Sequence, residues 1–129
     1  MDWITNNIAI GNYLDASVDD LAFQVDAVLC LKENCCNEDR TDVDVLCVPL
    51  IDGSGNNPRD IREAVQYVRD IISANERILV HCHAGRSRSV AIVARYLTET
   101  TGISRQAALD LISSKREIYL SDGIDEIFG

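Results

Sequence analysis

The spacing of apolar and polar positions along the chain predicts several short strands. Residues 27–31 and 78–81 are short, nearly continuous apolar runs, which are typical of strands buried on both faces of a sheet. Residues 43–48 predict a second strand of this buried kind along the chain. Residues 4–10 predict a first strand or hairpin, because the run ends at the turn-forming pair Gly11-Asn12.

Apolar residues that recur every three or four positions predict helices between and after these strands. Pro58 opens one helix after a Gly- and Asn-rich loop at residues 51–58, and residues 89–99 form a second. Residues 104–115 form a third, capped by Ser104, while residues 18–24 predict a short helix and residues 124–128 a terminal turn or helix. The inward-facing positions of the three main helices are Ile61, Ala64, Val65, Val68 and Ile72, then Val90, Val93, Ala94 and Leu97, then Ala107, Ala108, Leu111 and Ile112.

Length and composition limit the class of protein. The chain has 129 residues, of which 47% are hydrophobic and 26% charged, as is usual for one globular domain. Strands alternating with helices predict a single α/β domain over residues 1–129, with a central, mostly parallel sheet flanked by helices. Apolar runs reach only about five residues, far below the roughly 20 that cross a bilayer, so we expect no membrane insertion. Residues 1–7 lack the basic and apolar segments of a signal peptide.

The net charge of −9 is concentrated in the first part of the chain. Residues 1–57 carry 11 acidic and two basic side chains, whereas residues 58–129 carry ten of each. An acidic surface repels the phosphate backbone, so we expect no nucleic-acid partner. The neutral second part can still contain a local anion site.

The five cysteines have an odd count and no spacing typical of a disulfide framework. Together with the N-terminal sequence, this favours a reducing cytoplasmic environment. Cys30 and Cys47 lie in apolar runs and are expected to be inert core thiols. One set of side chains has zinc-ligand chemistry but no C-x2-C pair, so we predict no metal: Cys35, Cys36, His81 and His83.

The most informative stretch is His81-Cys82-His83-Ala84-Gly85-Arg86-Ser87-Arg88-Ser89, between a predicted strand and a predicted helix. In open parallel sheets, ligands bind beyond the carboxyl ends of the strands. A tight loop that enters a helix there directs backbone N–H groups and the positive end of the helix dipole inward, which forms an anion site. The same field favours the thiolate of Cys82, and the planar guanidinium of Arg88 can bind two oxygens of one phosphate.

This stretch resembles the signature His-Cys-x-x-Gly-x-x-Arg-Ser of the cysteine-dependent protein tyrosine phosphatases. The short chain and the place of Cys82 past its middle resemble the dual-specificity branch, whereas low-molecular-weight phosphatases carry this loop near the N-terminus. Residues 8–16 resemble the family's opening strand and turn, and residues 48–52 resemble its acid-loop approach. The spacing of 30 residues from Asp52 to Cys82 is typical of the family.

The resemblance and the chemistry of these side chains imply a phosphate monoester hydrolase without a cofactor. Cys82 would attack phosphorus and form a phosphocysteine intermediate. Arg88 and the loop amides would bind the equatorial oxygens of the transferred group. Asp52 would protonate the leaving oxygen and then deprotonate the attacking water, with Asp60 as the alternative acid.

Other positions of the motif receive supporting roles. Ser89 either donates a hydrogen bond to the departing thiolate or is an ordinary hydroxyl at a helix N-terminus. His81 is expected to support the Cys82 region through hydrogen bonds. Arg86 either adds positive potential for an acidic substrate or is a solvated charge. The phosphate-binding loop is predicted to consist of His83, Ala84, Gly85, Arg86, Ser87 and Arg88.

The region after residue 115 departs from the family pattern, because the Asn-Pro-containing turn is missing and residues 114–120 stand in its place. Contacts to the substrate from this side therefore cannot be assigned by resemblance. Tyr119 either flanks the site or packs in the core, and we expect the core. No insertion builds a deep phosphotyrosine pocket. We expect a shallow site that accepts phosphotyrosine, phosphoserine and phosphothreonine of a phosphorylated protein partner, in a monomeric enzyme.

Three alternatives stay open. Phosphatases of lipids, small phosphate esters or RNA 5′ ends use the same loop, although the single extra loop cation, Arg86, and the charge of −9 argue against RNA and polyphosphates. A non-catalytic phosphoprotein-binding module would normally have lost Cys82, Arg88 or Asp52. A sulfur transferase or arsenate reductase would not need Asp52 or the Arg88-Ser89 pair. A thiolate at Cys82 also predicts sensitivity to peroxide.

Overall fold

In residues 1–35 and 39–128, which a computed structural model of the protein describes, five strands form one sheet. They are β1 (Asp2–Trp3), β2 (Ile8–Gly11), β3 (Ala27–Cys30), β4 (Asp44–Cys47) and β5 (Ile78–His81). The order across the sheet is β1-β2-β5-β3-β4, and only the β1–β2 pair is antiparallel. The predicted α/β fold with a mostly parallel sheet is confirmed, and β5 occupies the centre, where both of its faces are buried.

Three α-helices follow the predicted periodicity: α1 (Pro58–Ser73), α2 (Arg88–Thr101) and α3 (Arg105–Ser113). The Asn57 side chain accepts a hydrogen bond from Arg59 N at 2.9 Å, so Pro58 begins α1 as predicted. Ser104 caps α3 by accepting from Ala107 N at 3.0 Å. None of the described helices is long and apolar enough to cross a bilayer.

The helices pack on one face of the sheet and form the larger core with Ile8, Ile10, Leu29 and Val80. The opposite face carries Ala9, Val28 and Leu79, which pack against buried residues of the segment before β3, namely Ala16, Leu21 and Val25. This division follows from the alternation of side chains along a strand. The structure thereby leaves the carboxyl ends of four parallel strands at one edge of the sheet.

Several sequence-based expectations were wrong in detail. Residues 18–24 form no α-helix; two 3-10 turns, Asp15–Ser17 and Leu21–Phe23, replace it, because the Asp15 side chain accepts from Asn12 N and pairs with the N-terminal amine instead of capping a helix. The strand predicted at 43–48 is β4, an edge strand that is only partly buried because it has a neighbour on one side. Within α1, Ile71 rather than Ile72 is fully buried.

In α3, Ala107 is exposed and only Ala108 and Ile112 are fully buried, since the helix packs mainly against α2. Cys47 is not an inert core thiol: it forms a disulfide with Cys35. Of the four side chains with zinc-ligand chemistry, Cys35 is in that disulfide and Cys36 lies outside the described residues. Cys30 and Cys82 are both buried and form no disulfide with another described cysteine.

Candidate active site

The loop between β5 and α2 lies at the carboxyl end of the central strand and is held from three sides. Tyr13 N donates to His83 O at 3.1 Å, and the rings of these two residues stack with centroids 4.8 Å apart. Tyr119 N donates to Arg86 O at 3.0 Å, and Ser121 N donates to the Ser87 hydroxyl oxygen at 3.0 Å. These contacts use acceptor atoms of the loop and leave its backbone N–H groups available.

The backbone N–H groups of the loop are the candidates for the predicted anion site. Among the described residues, no acceptor receives a hydrogen bond from the backbone N–H groups of residues 83–87. The helix that follows begins at Arg88, and its first backbone bond to the loop runs from Ala91 N to Ser87 O. The loop therefore combines backbone N–H groups that have no described acceptor with the positive end of α2, an arrangement that favours binding of an anion.

Gly85 allows the loop to close against β2. Its φ of 71° lies in the left-handed region, and a side chain there would overlap the Gly11 carbonyl group and approach Arg116 Nη2 to 2.9 Å. Arg116 Nη1 in turn donates to Ile10 O at 2.8 Å and to Asp2 Oδ2 at 3.0 Å, which fastens the loop to the N-terminal hairpin. The glycine of the motif is therefore required by both backbone conformation and space.

Cys82 lies at the base of this loop and is only 2% exposed. Its Sγ is 3.4 Å from the hydroxyl oxygen of Ser89, which is fully buried in the first turn of α2. The ring of buried His81 places Nδ1 3.2 Å from the Cys82 carbonyl oxygen, which fits a proton carried on Nδ1. The three predicted neighbours are therefore adjacent, with the hydroxyl able to donate to a sulfur anion.

Arg88 lines the cavity, and its hydrogen bonds to described residues all come from Nη1. Nη1 donates to Glu33 Oε2 at 2.7 Å, to Leu50 O at 3.2 Å and to Leu31 O at 3.5 Å. Among the described residues, Nε is buried without a hydrogen-bond acceptor, and no bond is formed by Nη2. A free Nε–Nη2 edge of this kind is the fork with which an arginine can bind two oxygens of a phosphate.

Glu33 is the acidic partner of this arginine. Its side chain is 63% exposed and sits at the cavity wall. The hydrogen bond from Arg88 and the positive charge of that guanidinium hold the pKa of the Glu33 carboxyl below its usual range. Glu33 is therefore ionised at neutral pH and restrains Arg88 without covering its phosphate-binding edge.

Asp52 lines the same cavity, which has a volume of about 480 Å³, and the Ser121 hydroxyl donates to its Oδ2 at 2.8 Å. Buried Asn56 shapes the acid loop by accepting from Ile51 N at 2.7 Å and donating to the carbonyl oxygens of Ile51 and Gly53. Asp60, the alternative acid, lies in the first turn of α1 and does not line this cavity. The remaining lining residues are Glu33, Cys82, His83, Ala84, Arg86, Ser87, Arg88, Tyr119 and Ser121.

The expectation that Tyr119 packs in the core was wrong. The residue is 73% exposed and lines the cavity, and its backbone N–H donates to Arg86 O. Arg86 is half exposed and its Nη1 is 3.8 Å from Glu117 Oε1, so its charge is largely solvated. The segment after residue 115, which differs from the family pattern, thus supplies two residues of the cavity wall.

Sequence reasoning missed three residues at the site, Glu33, Asn56 and Ser121, and placed Tyr119 there only as the less favoured alternative. Glu33 and Ser121 reach their partners Arg88 and Asp52 across 55 and 69 positions of the chain, so no local pattern marks them. The only signal was for Asn56, which lies in the Gly- and Asn-rich loop where an amide side chain commonly closes a turn.

Comparison with known proteins agrees with this geometry. A model of the family described as dual specificity phosphatase, catalytic domain, matches residues 8–123. The chain is 30% identical to human dual specificity protein phosphatase 1 over 115 residues, which is 84% of this chain but only 30% of that relative. The chain therefore spans less than a third of the length of this curated relative.

Solved structures share the fold. Human DUSP28 superposes with a TM-score of 0.89 at 19% identity, covering 99% of this chain and 92% of that one. PTPMT1 in complex with PI(5)P superposes with a TM-score of 0.77 at 22% identity, covering 97% and 89%. At this level of identity the likeness concerns the arrangement of strands and helices, and it agrees with the sheet and loop described above.

Proposed function

The chain belongs to the dual specificity phosphatase family, and we propose that residues 1–129 form a catalytic domain that hydrolyses phosphate monoesters of proteins through a phosphocysteine at Cys82. One observation carries the proposal. A buried cysteine sulfur, an arginine edge without an acceptor among the described residues and an aspartate lie on one cavity. Nucleophile, charge stabiliser and proton donor are the three groups that a metal-free phosphoryl transfer needs.

In the first step, the Cys82 thiolate attacks phosphorus, and the bond between phosphorus and the leaving oxygen breaks. The Nε–Nη2 edge of Arg88 and the loop amides bind the equatorial oxygens, which carry the negative charge of the transition state. Asp52 donates its proton to the leaving oxygen, so the substrate departs as a neutral alcohol or phenol. Because Nη1 of Arg88 is already held, its guanidinium need not reorient when phosphate binds.

In the second step, water attacks the phosphocysteine and Asp52, now ionised, accepts the proton of that water. The sulfur leaves as a thiolate, and the Ser89 hydroxyl at 3.4 Å is placed to donate a hydrogen bond to it. Inorganic phosphate is released and both side chains return to their starting protonation states. No metal takes part in this scheme, because Arg88 and the loop amides supply the positive charge.

We propose phosphotyrosine together with phosphoserine and phosphothreonine as the substrate class. The walls around the loop are of mixed charge, since Glu33 and Asp52 face the same cavity as Arg86. This mixture disfavours a polyphosphate, which needs several cations. A lipid or small phosphate ester remains the second candidate, because half-exposed Arg86 can pair with a second anionic group beside the scissile phosphate.

The test is hydrolysis of p-nitrophenyl phosphate from pH 5 to 8 with a metal chelator present. Cys82→Ser is expected to abolish turnover, and Asp52→Asn to lower kcat by about 10²-fold or more at neutral pH. Asp60→Asn is the matched control, because it removes an acid outside the cavity and should leave kcat unchanged. Phosphotyrosine, phosphoserine and phosphothreonine peptides and a phosphoinositide then define the substrate class.

A folded wild-type protein without activity on any of these substrates would contradict the proposal. Tight binding of a phosphopeptide without turnover would instead identify a phosphoprotein-binding module. Equal losses in Asp52→Asn and Asp60→Asn would show that the acid is assigned to the wrong residue.

A further inference from the structure

The groups that hold Arg88 come from two separate segments of the chain. Leu31 O and Glu33 Oε2 belong to the segment that leaves β3, whereas Leu50 O belongs to the segment that leaves β4. All three accept from Nη1. The position of the guanidinium therefore depends on how these two segments lie relative to each other.

A disulfide joins the same two segments. We call residues 31–35 the first arm and residues 47–50 the second arm. Cys35 ends the first arm and Cys47 begins the second, and the bond between them closes a span of 12 residues with the Cα atoms 5.8 Å apart. Both cysteines are partly exposed, so a small thiol in solution can reach them.

Apart from the disulfide, the inner parts of the arms are joined by core packing of Leu31, Val48 and Leu50 and by few backbone hydrogen bonds. The second arm donates from Val48 N to Cys30 O at 2.9 Å and from Leu50 N to Leu31 O at 3.1 Å, both near the strand ends. No backbone hydrogen bond between described residues joins Glu33 to the second arm. Among the described residues, the disulfide is therefore the covalent link between the second arm and the outer part of the first arm, where Glu33 pairs with Arg88.

These cysteines are separate from the nucleophile. Cys30 is in register with Cys47 on one side and with His81 on the other, and alternation places it on the sheet face opposite Leu29 and Leu31. Cys82 packs in the core on the helix-bearing face together with those leucines. A disulfide between Cys82 and Cys35 or Cys47 would have to cross the sheet. Thiol exchange at Cys35 and Cys47 therefore affects the site through Arg88.

We propose that Cys35 and Cys47 form a thiol-exchange site that controls phosphate affinity by positioning the two arms that hold Arg88. This inference rests on the proposed function, in which Arg88 binds the phosphate. With the disulfide closed, Nη1 is held and the Nε–Nη2 edge faces the anion site. With it open, Glu33 and its arm move more freely, and phosphate binding must restrain them.

A small dithiol is the reductant that opens the disulfide between Cys35 and Cys47. One thiolate of the dithiol attacks Sγ of Cys35 or Cys47, the protein S–S bond breaks, and a mixed disulfide forms. The second thiolate of the dithiol attacks that mixed disulfide. The dithiol leaves as a cyclic disulfide, two electrons enter the protein, and both cysteines become thiols.

The experiment measures tungstate binding by calorimetry to the Cys82→Ser protein before and after treatment with a dithiol. Removing Cys82 prevents its own oxidation from contributing to the result. We expect the dissociation constant to rise about 5-fold or more on reduction, in the lower range of couplings between sites, because Glu33 is largely exposed. The control adds Cys35→Ser and Cys47→Ser together, because a single change would leave Cys30 within 4.8 Å of the remaining thiol.

The control protein should bind tungstate like the reduced protein in both conditions. Peptide mass mapping checks the bond itself, since tryptic peptides 33–40 and 41–59 should stay linked until the dithiol is added. Equal affinities in the two redox states of a protein whose linked peptides are seen to separate would overturn the coupling and leave the proposed function intact. No tungstate binding in either state would overturn the proposed function and the coupling with it.

Discussion

Replacement of Gly85 by alanine tests whether close approach of the phosphate loop to β2 (Ile8–Gly11) shapes the site. Gly85 and Gly102 have nearly the same φ, 71° and 74°, but a Cβ at Gly85 would overlap the Gly11 carbonyl group, whereas a Cβ at Gly102 meets nothing within 4 Å. Gly102→Ala is therefore a matched control that carries the backbone strain without the clash.

The two substitutions should differ by the cost of the clash. Left-handed backbone in a residue with a side chain costs about 1–2 kcal/mol, so Gly102→Ala should lower the free energy of unfolding by about that amount. At Gly85 the overlap is with backbone atoms that cannot rotate away, which adds about 1–3 kcal/mol. The loop must also move by roughly 1 Å, because the new Cβ would lie 2.7 Å from the Gly11 carbonyl carbon and closer still to its oxygen.

Urea unfolding measures the stabilities, and p-nitrophenyl phosphate hydrolysis measures the effect on the site. Because a displacement near 1 Å costs about 10²-fold in rate, kcat/KM of Gly85→Ala should fall by about that factor, while Gly102→Ala keeps its rate. Equal stabilities for the two variants, or full activity in Gly85→Ala, would refute the argument from close approach.

Three further predictions follow from single contacts. Glu33→Gln should lower the free energy of unfolding by up to about 1 kcal/mol at pH 7. Because Arg88 lowers the folded-state pKa of Glu33, this contribution is complete above pH 4.5 and is lost as the pH falls through the lower, folded-state pKa. A stability difference between wild type and variant that stays constant from pH 7 to 3 would contradict the prediction. Asn56→Ala should cost about 1–3 kcal/mol and lower kcat more than it changes KM, because the acid loop loses its buried hydrogen bonds; a change in KM alone would argue against this role. Ser89→Ala should slow hydrolysis of the phosphocysteine about 10-fold or more, which rapid-mixing kinetics would show as a burst of p-nitrophenol. A linear time course at reduced kcat would assign Ser89 to the first step instead.

The sequence predicted best where structure is local. The strand, loop and helix around Cys82 are contiguous in the sequence. The apolar run of β5, the motif glycine Gly85 and the apolar periodicity of α2 therefore all predict the structure of one short segment. The cap at Ser104 was likewise visible, because it uses a side chain and a backbone N–H within three positions. Short polar segments were predicted less well, and residues 18–24 failed because tertiary contacts of Asp15 outweighed a weak local preference.

By itself, the sequence determined the α/β class, the order of nucleophile and arginine on one loop, and the candidate acid at Asp52. Tertiary structure alone decided what surrounds them. Glu33 reaches Arg88, Ser121 reaches Asp52, and Cys35 joins Cys47 only because parallel strands bring their carboxyl ends to one edge of the sheet. Such contacts depend on strand order and register, and neither leaves a pattern in the local spacing of residues.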